Sequence, residues 1–246
     1  MAMSLLDELP DLQAELRSKA DPDRAPEMEA YLKGQFPMLG VAAPLRRQVV
    51  KDTIQTATLP SREELVVVVD ALFDLPEREF HYCGMDLARR WQRVLDVDDL
   101  PWLASLISTH SWWDTVDSLA VHPVGHVVRN DRDRCRATLD RWAASDDLWL
   151  NRTAIIHQLM FKDDTDAEQL FDYCDLHAAS TEFFHRKAIG WALRQYSRTD
   201  ADAVVDYVNE RRKVLSGLSI REALKHLPPT GAGGYQVINS AGEVSD

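Results

Sequence analysis

The feature that most constrains how this chain folds is a side-chain register that returns about every 35 residues. Stepping from Arg47 in units of 35 meets Tyr82, Asp117, Arg152, Lys187 and Glu222. The neighbours repeat too, since Arg152-Thr-Ala, Arg186-Lys-Ala and Arg221-Glu-Ala recur at intervals of 34 and 35. Large aromatics precede the later members: Trp113, Trp149, and Phe183 or Phe184. A unit of this length is one supersecondary element that buries its apolar stripe only against its neighbours.

Apolar periodicity identifies that element as a helical hairpin. It predicts a first helix over 3–19, then the pairs 26–35 with 43–57, 61–74 with 77–95, 99–109 with 112–121, 133–144 with 147–161, 164–178 with 182–197, and 200–212 with 219–227. Pro44 and Pro101 stand near two helix starts, and "SREE" at 61–64 has the form of a capping box. "DLPERE" at 74–79 and "SDD" at 145–147 read as breaks. "LVVVVDALF" at 65–73 competes as a strand, but its flanks and length favour a buried helix. The expected fold is all-α: an α-solenoid of antiparallel hairpins of the HEAT, armadillo or TPR kind forming one domain over residues 1–227, its second helices lining one concave face. The tail at 228–246 has no apolar period and is expected to be disordered.

Composition narrows the function classes. Only 10 glycines and 11 prolines in 246 residues argue against a turn-rich β architecture. No run approaches the roughly 18 apolar residues of a membrane span, and the N-terminus lacks a signal-peptide layout. Cys83, Cys135 and Cys174 are odd in number and far apart, which fits a reducing cytoplasm and no disulfide framework. Net charge is −12, so nucleic acid is repelled on average and any DNA binding needs a local basic patch. The register offers one. Arg47 with Lys51, Arg152, Arg186 with Lys187, and Arg221 with Lys225 would stack along one face, as a phosphate backbone requires. Asp117 is the exception within that ladder. Such an acid is either partnered, with Arg152 one repeat on, or present for chemistry.

Trp113 and Asp117 stand at i and i+4, which puts an indole and a carboxylate on one helix face. Asp114 is too close in sequence to oppose Asp117 across a sugar, and reads as a first-turn charge. His122 and His126 have helical spacing, but Pro123 and Gly125 disrupt it and should end that helix early. No HExxH, Walker A or dinucleotide glycine motif is present. Trp91, Trp102 and Trp142 read as hairpin core, and Trp149 as core or site.

The blocks "YLKGQFPMLGVAAPLRR" (31–47), "LPEREF" (75–80), "SWWDTVDS" (111–118), "LWLNRTAI" (148–155), "EFFHRKAIGWALRQYSRTD" (182–200) and "REALKHL" (221–227) resemble, in the same order, the HEAT-like-repeat alkylpurine DNA glycosylases, the AlkD-like alkylation-repair enzymes. The resemblance implies a monofunctional DNA glycosylase that releases N3- and N7-alkylated purines, such as 3-methyladenine and 7-methylguanine, from duplex DNA. It implies no metal or cofactor, and a monomer is expected. Carried over by motif, Asp117 matches the catalytic aspartate, Trp113 the aromatic beside it, Arg152 the arginine at the site and Trp191 a second tryptophan facing the lesion. Tyr31 matches a tyrosine near the DNA. Arg47, Lys51, Arg186, Lys187, Arg194, Arg221 and Lys225 are the expected contacts to the backbone.

The chemistry suits these residue types. An N3- or N7-alkylated purine is cationic and already a good leaving group, so fixed negative charge near the sugar matters more than a strong general acid. Asp117 would stabilise the developing oxocarbenium and orient or deprotonate water, an effect worth about 3–4 kcal/mol. Trp113 and Trp191 would each add roughly 0.5–2 kcal/mol by cation–π attraction. Arg152 would hold the adjoining phosphate or orient Asp117. No lysine stands at Asp117's own position for Schiff-base chemistry, although Lys187 lies in the same ladder. Two rivals remain open from sequence: a non-catalytic HEAT-like module binding damaged or structured DNA, and a protein-binding scaffold.

Overall fold

The computed structural model describes residues 4–54 and 59–227; the expectations for the tail at 228–246 and for the end of the 43–57 helix lie outside the described residues. Helices account for all regular structure among the described residues, and their order follows the predicted hairpins of an α-solenoid. The chain divides into two compact units, Met1–His110 and Ser111–Asp246.

In the first unit, α1 (Leu5–Ser18) is followed by α2 (Ala25–Tyr31), α3 (Ala43–Thr53), α4 (Arg62–Phe73), α5 (Arg78–Arg90) and α6 (Leu100–Ser108). Helix α1 starts at a full capping box between Ser4 and Asp7, and its Leu5, Leu9, Leu12 and Leu16 form one buried stripe. The 65–73 run is helical, as expected, with Leu65, Val68, Val69, Leu72 and Phe73 buried. Its Ser61 accepts from the Glu64 amide, but the Glu64 carboxylate accepts from the Leu6 amide of α1 at 3.1 Å. Glu64 therefore ties two helices together. Glu79, fully buried, accepts from the amides of Leu39, Gly40 and Val41 at 2.9–3.0 Å and fixes the loop before α3. Gly40 has φ +84°, and a Cβ there would lie 2.0 Å from the Asp21 carbonyl oxygen, so only glycine fits.

The second unit runs α7 (Trp113–Leu119), α8 (Gly125–Asn130), α9 (Arg132–Ala143), α10 (Leu148–Ile156), α11 (Ala167–Leu176), α12 (Phe183–Tyr196), α13 (Ala201–Glu210) and α14 (Gly217–Ala223). Aspartates at 131, 147, 166 and 200 cap α9, α10, α11 and α13 through their side chains. Helices α7, α10, α12 and α14 pack in that order, as stacked second helices should. The packing is tight at Gly190 on α12, where a Cβ would lie 2.5 Å from the Glu222 Cβ. The 35-residue period reappears as hydrogen bonds between successive repeats. Tyr173 donates to Asp140, Ser219 to the Arg186 carbonyl, and Arg211 to Asp175 through two nitrogens.

One expectation needs correction. Pro123 and Gly125 do not break the chain's helical path after α7. A π-helical turn, Ala120–Val124, absorbs Pro123 and leads straight into α8. Widening the turn removes the need for the amide that proline lacks. Gly125 serves close approach, since a Cβ there would lie 2.8 Å from the His157 carbonyl oxygen.

Candidate active site

The register places Asp117 on α7 opposite Arg152 on α10. Arg152 donates from Nε to one carboxylate oxygen at 2.6 Å and from Nη2 to the other at 2.8 Å. Its Nη1 donates to the Phe184 carbonyl at the start of α12, also at 2.8 Å. One guanidinium thus joins three successive second helices in a fork geometry that fixes the carboxylate plane. The Arg152 side chain is 5% exposed and Asp117 17%, so the acid is the member that reaches solvent. Burial raises the Asp117 carboxyl above its usual range; the Arg152 hydrogen bonds and charge oppose that rise, and Asp114 adds to it.

Trp113 begins α7 one turn before Asp117 and is partly buried. Trp191, on α12, is partly buried and makes no hydrogen bond or ring contact among the described residues. The aromatic register falls one residue from its sequence reading. Trp112, not Trp113, clusters with Trp149 and Phe184, at centroid separations of 5.8, 5.3 and 4.8 Å. Trp149 therefore packs against Phe184, whose carbonyl accepts from Arg152. Trp91 and Trp142 are core, while Trp102 donates to Asp70 at 2.7 Å.

Three members of the expected basic set, Arg152, Lys187 and Arg194, are paired with acids. Lys187 donates to Glu222 at 2.9 Å and Arg194 to the same carboxylate at 2.5 Å. Lys187's hydrogen bond holds the Glu222 carboxyl below its usual range. Arg186 is partly buried and donates through Nε to the Ser180 carbonyl at 2.8 Å. Tyr31, Arg47, Lys51, Arg221 and Lys225 are exposed.

Sequence reasoning passed over a buried polar link behind Arg152. Asn151 donates to the carbonyls of Trp142 and Ser145, each at 2.9 Å, and accepts from His185 Nε2 at 3.2 Å. Ser180 donates to His185 Nδ1 at 2.9 Å. Burial pushes His185 down to about 4, which leaves the ring neutral with those roles. The 34-residue spacing of Asn151 and His185 was the signal that would have paired them. His122 and His126 join no group of three or more metal-ligating side chains among the described residues. Burial pushes Cys83 and Cys135 up to about 11, and all three cysteines are core. No helix among the described residues is long and apolar enough to cross a membrane.

A family model described as DNA alkylation repair enzyme matches residues 12–227. A solved structure described as a predicted DNA alkylation repair enzyme from Enterococcus faecalis is 30% identical, covers 86% of this chain and 98% of its own, and superposes with a TM-score of 0.79. No curated protein matches the sequence.

Proposed function

The chain belongs to the DNA alkylation repair enzyme family, and on that premise we propose that it is a monofunctional DNA glycosylase, hydrolysing the N-glycosidic bond of cationic N3- and N7-alkylated purines in duplex DNA. The observation that carries this reading is the Asp117–Arg152 pair: a carboxylate locked in plane by two hydrogen bonds, yet 17% exposed. A fork of this kind occupies two of about four lone-pair positions on the carboxylate. The others remain for a cationic sugar and a water.

In the reaction, the bond from C1′ to the base nitrogen breaks and its electron pair neutralises the alkylated base. Positive charge passes to the sugar, where the Asp117 carboxylate stabilises it. Water adds to C1′ and gives its proton to Asp117 or to solvent, which leaves an abasic site. Because Arg152 is itself buried and holds Asp117 and the Phe184 carbonyl, it acts as a positioning residue in this scheme, in place of a phosphate contact. Trp113 and Trp191 would supply indole faces to the cation. Lys187 is engaged by Glu222, which supports hydrolysis over Schiff-base chemistry.

The same pair gives the rival reading its one foothold, since an acid with both oxygens held by arginine also makes sense as a structural tie in a DNA-binding module. Release of free base from duplex carrying N7-methylguanine separates the two. The glycosylase reading expects release by the native protein and a loss of about hundredfold to thousandfold in Asp117→Asn. No release of N7- or N3-methylpurines, with salt-dependent DNA binding intact, overturns it.

A further inference from the structure

Four cations of the first unit converge on one cleft. Arg47 and Lys51 are one turn apart on α3, Arg89 and Arg90 close α5, and these two helices pack together. With Val50, Asp86 and Leu87 they line a solvent-open cleft of about 360 Å³. Asp86 does not neutralise it. The buried Arg46 donates to Asp86 at 2.7 Å from behind, so that carboxylate is already compensated. Among the described residues, Arg47, Lys51, Arg89 and Arg90 make no ion pair, and all four are exposed. The Arg90 guanidinium is held 4.6 Å over the Trp91 ring, which is itself buried, so its position is set by packing.

Last-turn placement of Lys51, Arg89 and Arg90 complements the helix dipole. That alone would be served by one cation per helix end and does not require convergence on one cleft. In a chain of net charge −12, four uncompensated cations within one cleft are a concentrated exception. Their chemistry fits two successive phosphodiesters, with the guanidinium groups offering paired donors. In the second unit Arg152, Lys187 and Arg194 are instead engaged by carboxylates.

We propose that the α3–α5 cleft, with Arg89 and Arg90 joining Arg47 and Lys51, is the phosphodiester grip that supplies most of this protein's salt-dependent affinity for duplex DNA. DNA as the ligand rests on the repair reading above, but the cleft is separate from the Asp117 site. The test is therefore equilibrium binding of undamaged duplex across a salt series, which needs no base release. Arg89→Gln/Arg90→Gln is expected to lower the salt slope by about 2 and to weaken binding by roughly tenfold or more at low salt. Arg89→Lys/Arg90→Lys is expected to keep the slope, and Lys19→Gln, at a cation engaged by Glu15, to leave it unmoved. An unchanged slope in the glutamine variant, with circular dichroism showing native helix, overturns the proposal. So does an equal loss in the lysine variant, which would mark packing instead of charge. If base release fails in the native protein while these slopes hold, the glycosylase reading falls and the cleft stands.

Discussion

Two carboxylates of the second unit occupy the same register and are nearly equally exposed, yet their surroundings push them in opposite directions. Asp117 is 17% exposed and its carboxyl is raised; Glu222 is 18% exposed and its carboxyl is lowered. Each meets a basic side chain 35 residues away. Burial is the largest cause of the Asp117 rise, whereas the Lys187 hydrogen bond is the largest influence on Glu222, and compensation widens the gap. Glu222 receives Lys187, Arg194 and the charge of Lys225, and its cations stay partly in water. Asp117 receives one guanidinium that is itself buried, and Asp114 stands one turn away with like charge. Glu222 is offset by several cations, whereas at Asp117 the single guanidinium of Arg152 does not fully offset the cost of burial. On the proposed glycosylase reading, a cation arriving at Asp117 gains more than one arriving at Glu222, which would make one of several equivalent repeat positions the reactive one.

The widest break in the comparison is catalytic. Where Asp117→Asn loses about hundredfold or more in base release, Glu222→Gln at saturating protein should stay within a few-fold. Equal losses would show that both act through folding alone.

The next effect is on Arg152. Arg152→Gln removes the one influence holding the Asp117 carboxyl down, so the acid limb of the base-release profile should move to higher pH. The native limb should already lie above the ordinary aspartate value of about 3.9. Leaving Asp117 without its partner should also lower stability by up to about 3–5 kcal/mol, read from thermal or denaturant unfolding. A limb that stays in place would mean that Arg152 binds DNA and does not tune the acid.

A smaller effect sharpens the contrast from the other side. Glu222→Gln releases Lys187 and Arg194, and the salt slope for duplex binding should steepen by about 1–2 as those cations become available to phosphates. No steepening would place both side chains away from the DNA path.

These contrasts also show what a single sequence makes legible. Hairpin segmentation and period were readable because stacking imposes the same apolar spacing on every repeat. So was the partnering of Asp117 by Arg152 one repeat on, which the register brings together. The sign logic of the ladder was not. Lys187 and Arg194 read as free cations because their acid, Glu222, belongs to the next repeat, although the 35-residue spacing of opposite charges at 117/152 and 187/222 is visible in hindsight. Helix α8 was missed because proline and glycine normally end helices, whereas here a π-turn absorbs one and close packing on His157 requires the other. That Trp112 joins the aromatic cluster could not be read, because which of two adjacent indoles does so is decided by packing against α10 and α12. The α3–α5 cleft joins residues about 40 apart through tertiary packing, and Arg89 and Arg90 carry no local motif.

The smallest effect is the pH dependence of stability, where the two acids should show slopes of opposite sign. The Glu222 carboxyl is lowered on folding, so its contribution is present above the unfolded glutamate value of about 4.3 and is lost as pH falls through the folded value. The stability gap between native protein and Glu222→Gln should therefore close below about pH 4. The Asp117 carboxyl is raised on folding, so its contribution is largest below the unfolded aspartate value of about 3.9 and is lost as pH rises through the folded value. The gap between native protein and Asp117→Asn should therefore widen as pH falls through the folded Asp117 value. Melting temperatures of the three proteins across acid pH measure both slopes at once. Two gaps that move together would mean that Asp117 is as fully compensated as Glu222, and the physical ground for singling it out as the reactive acid would be gone.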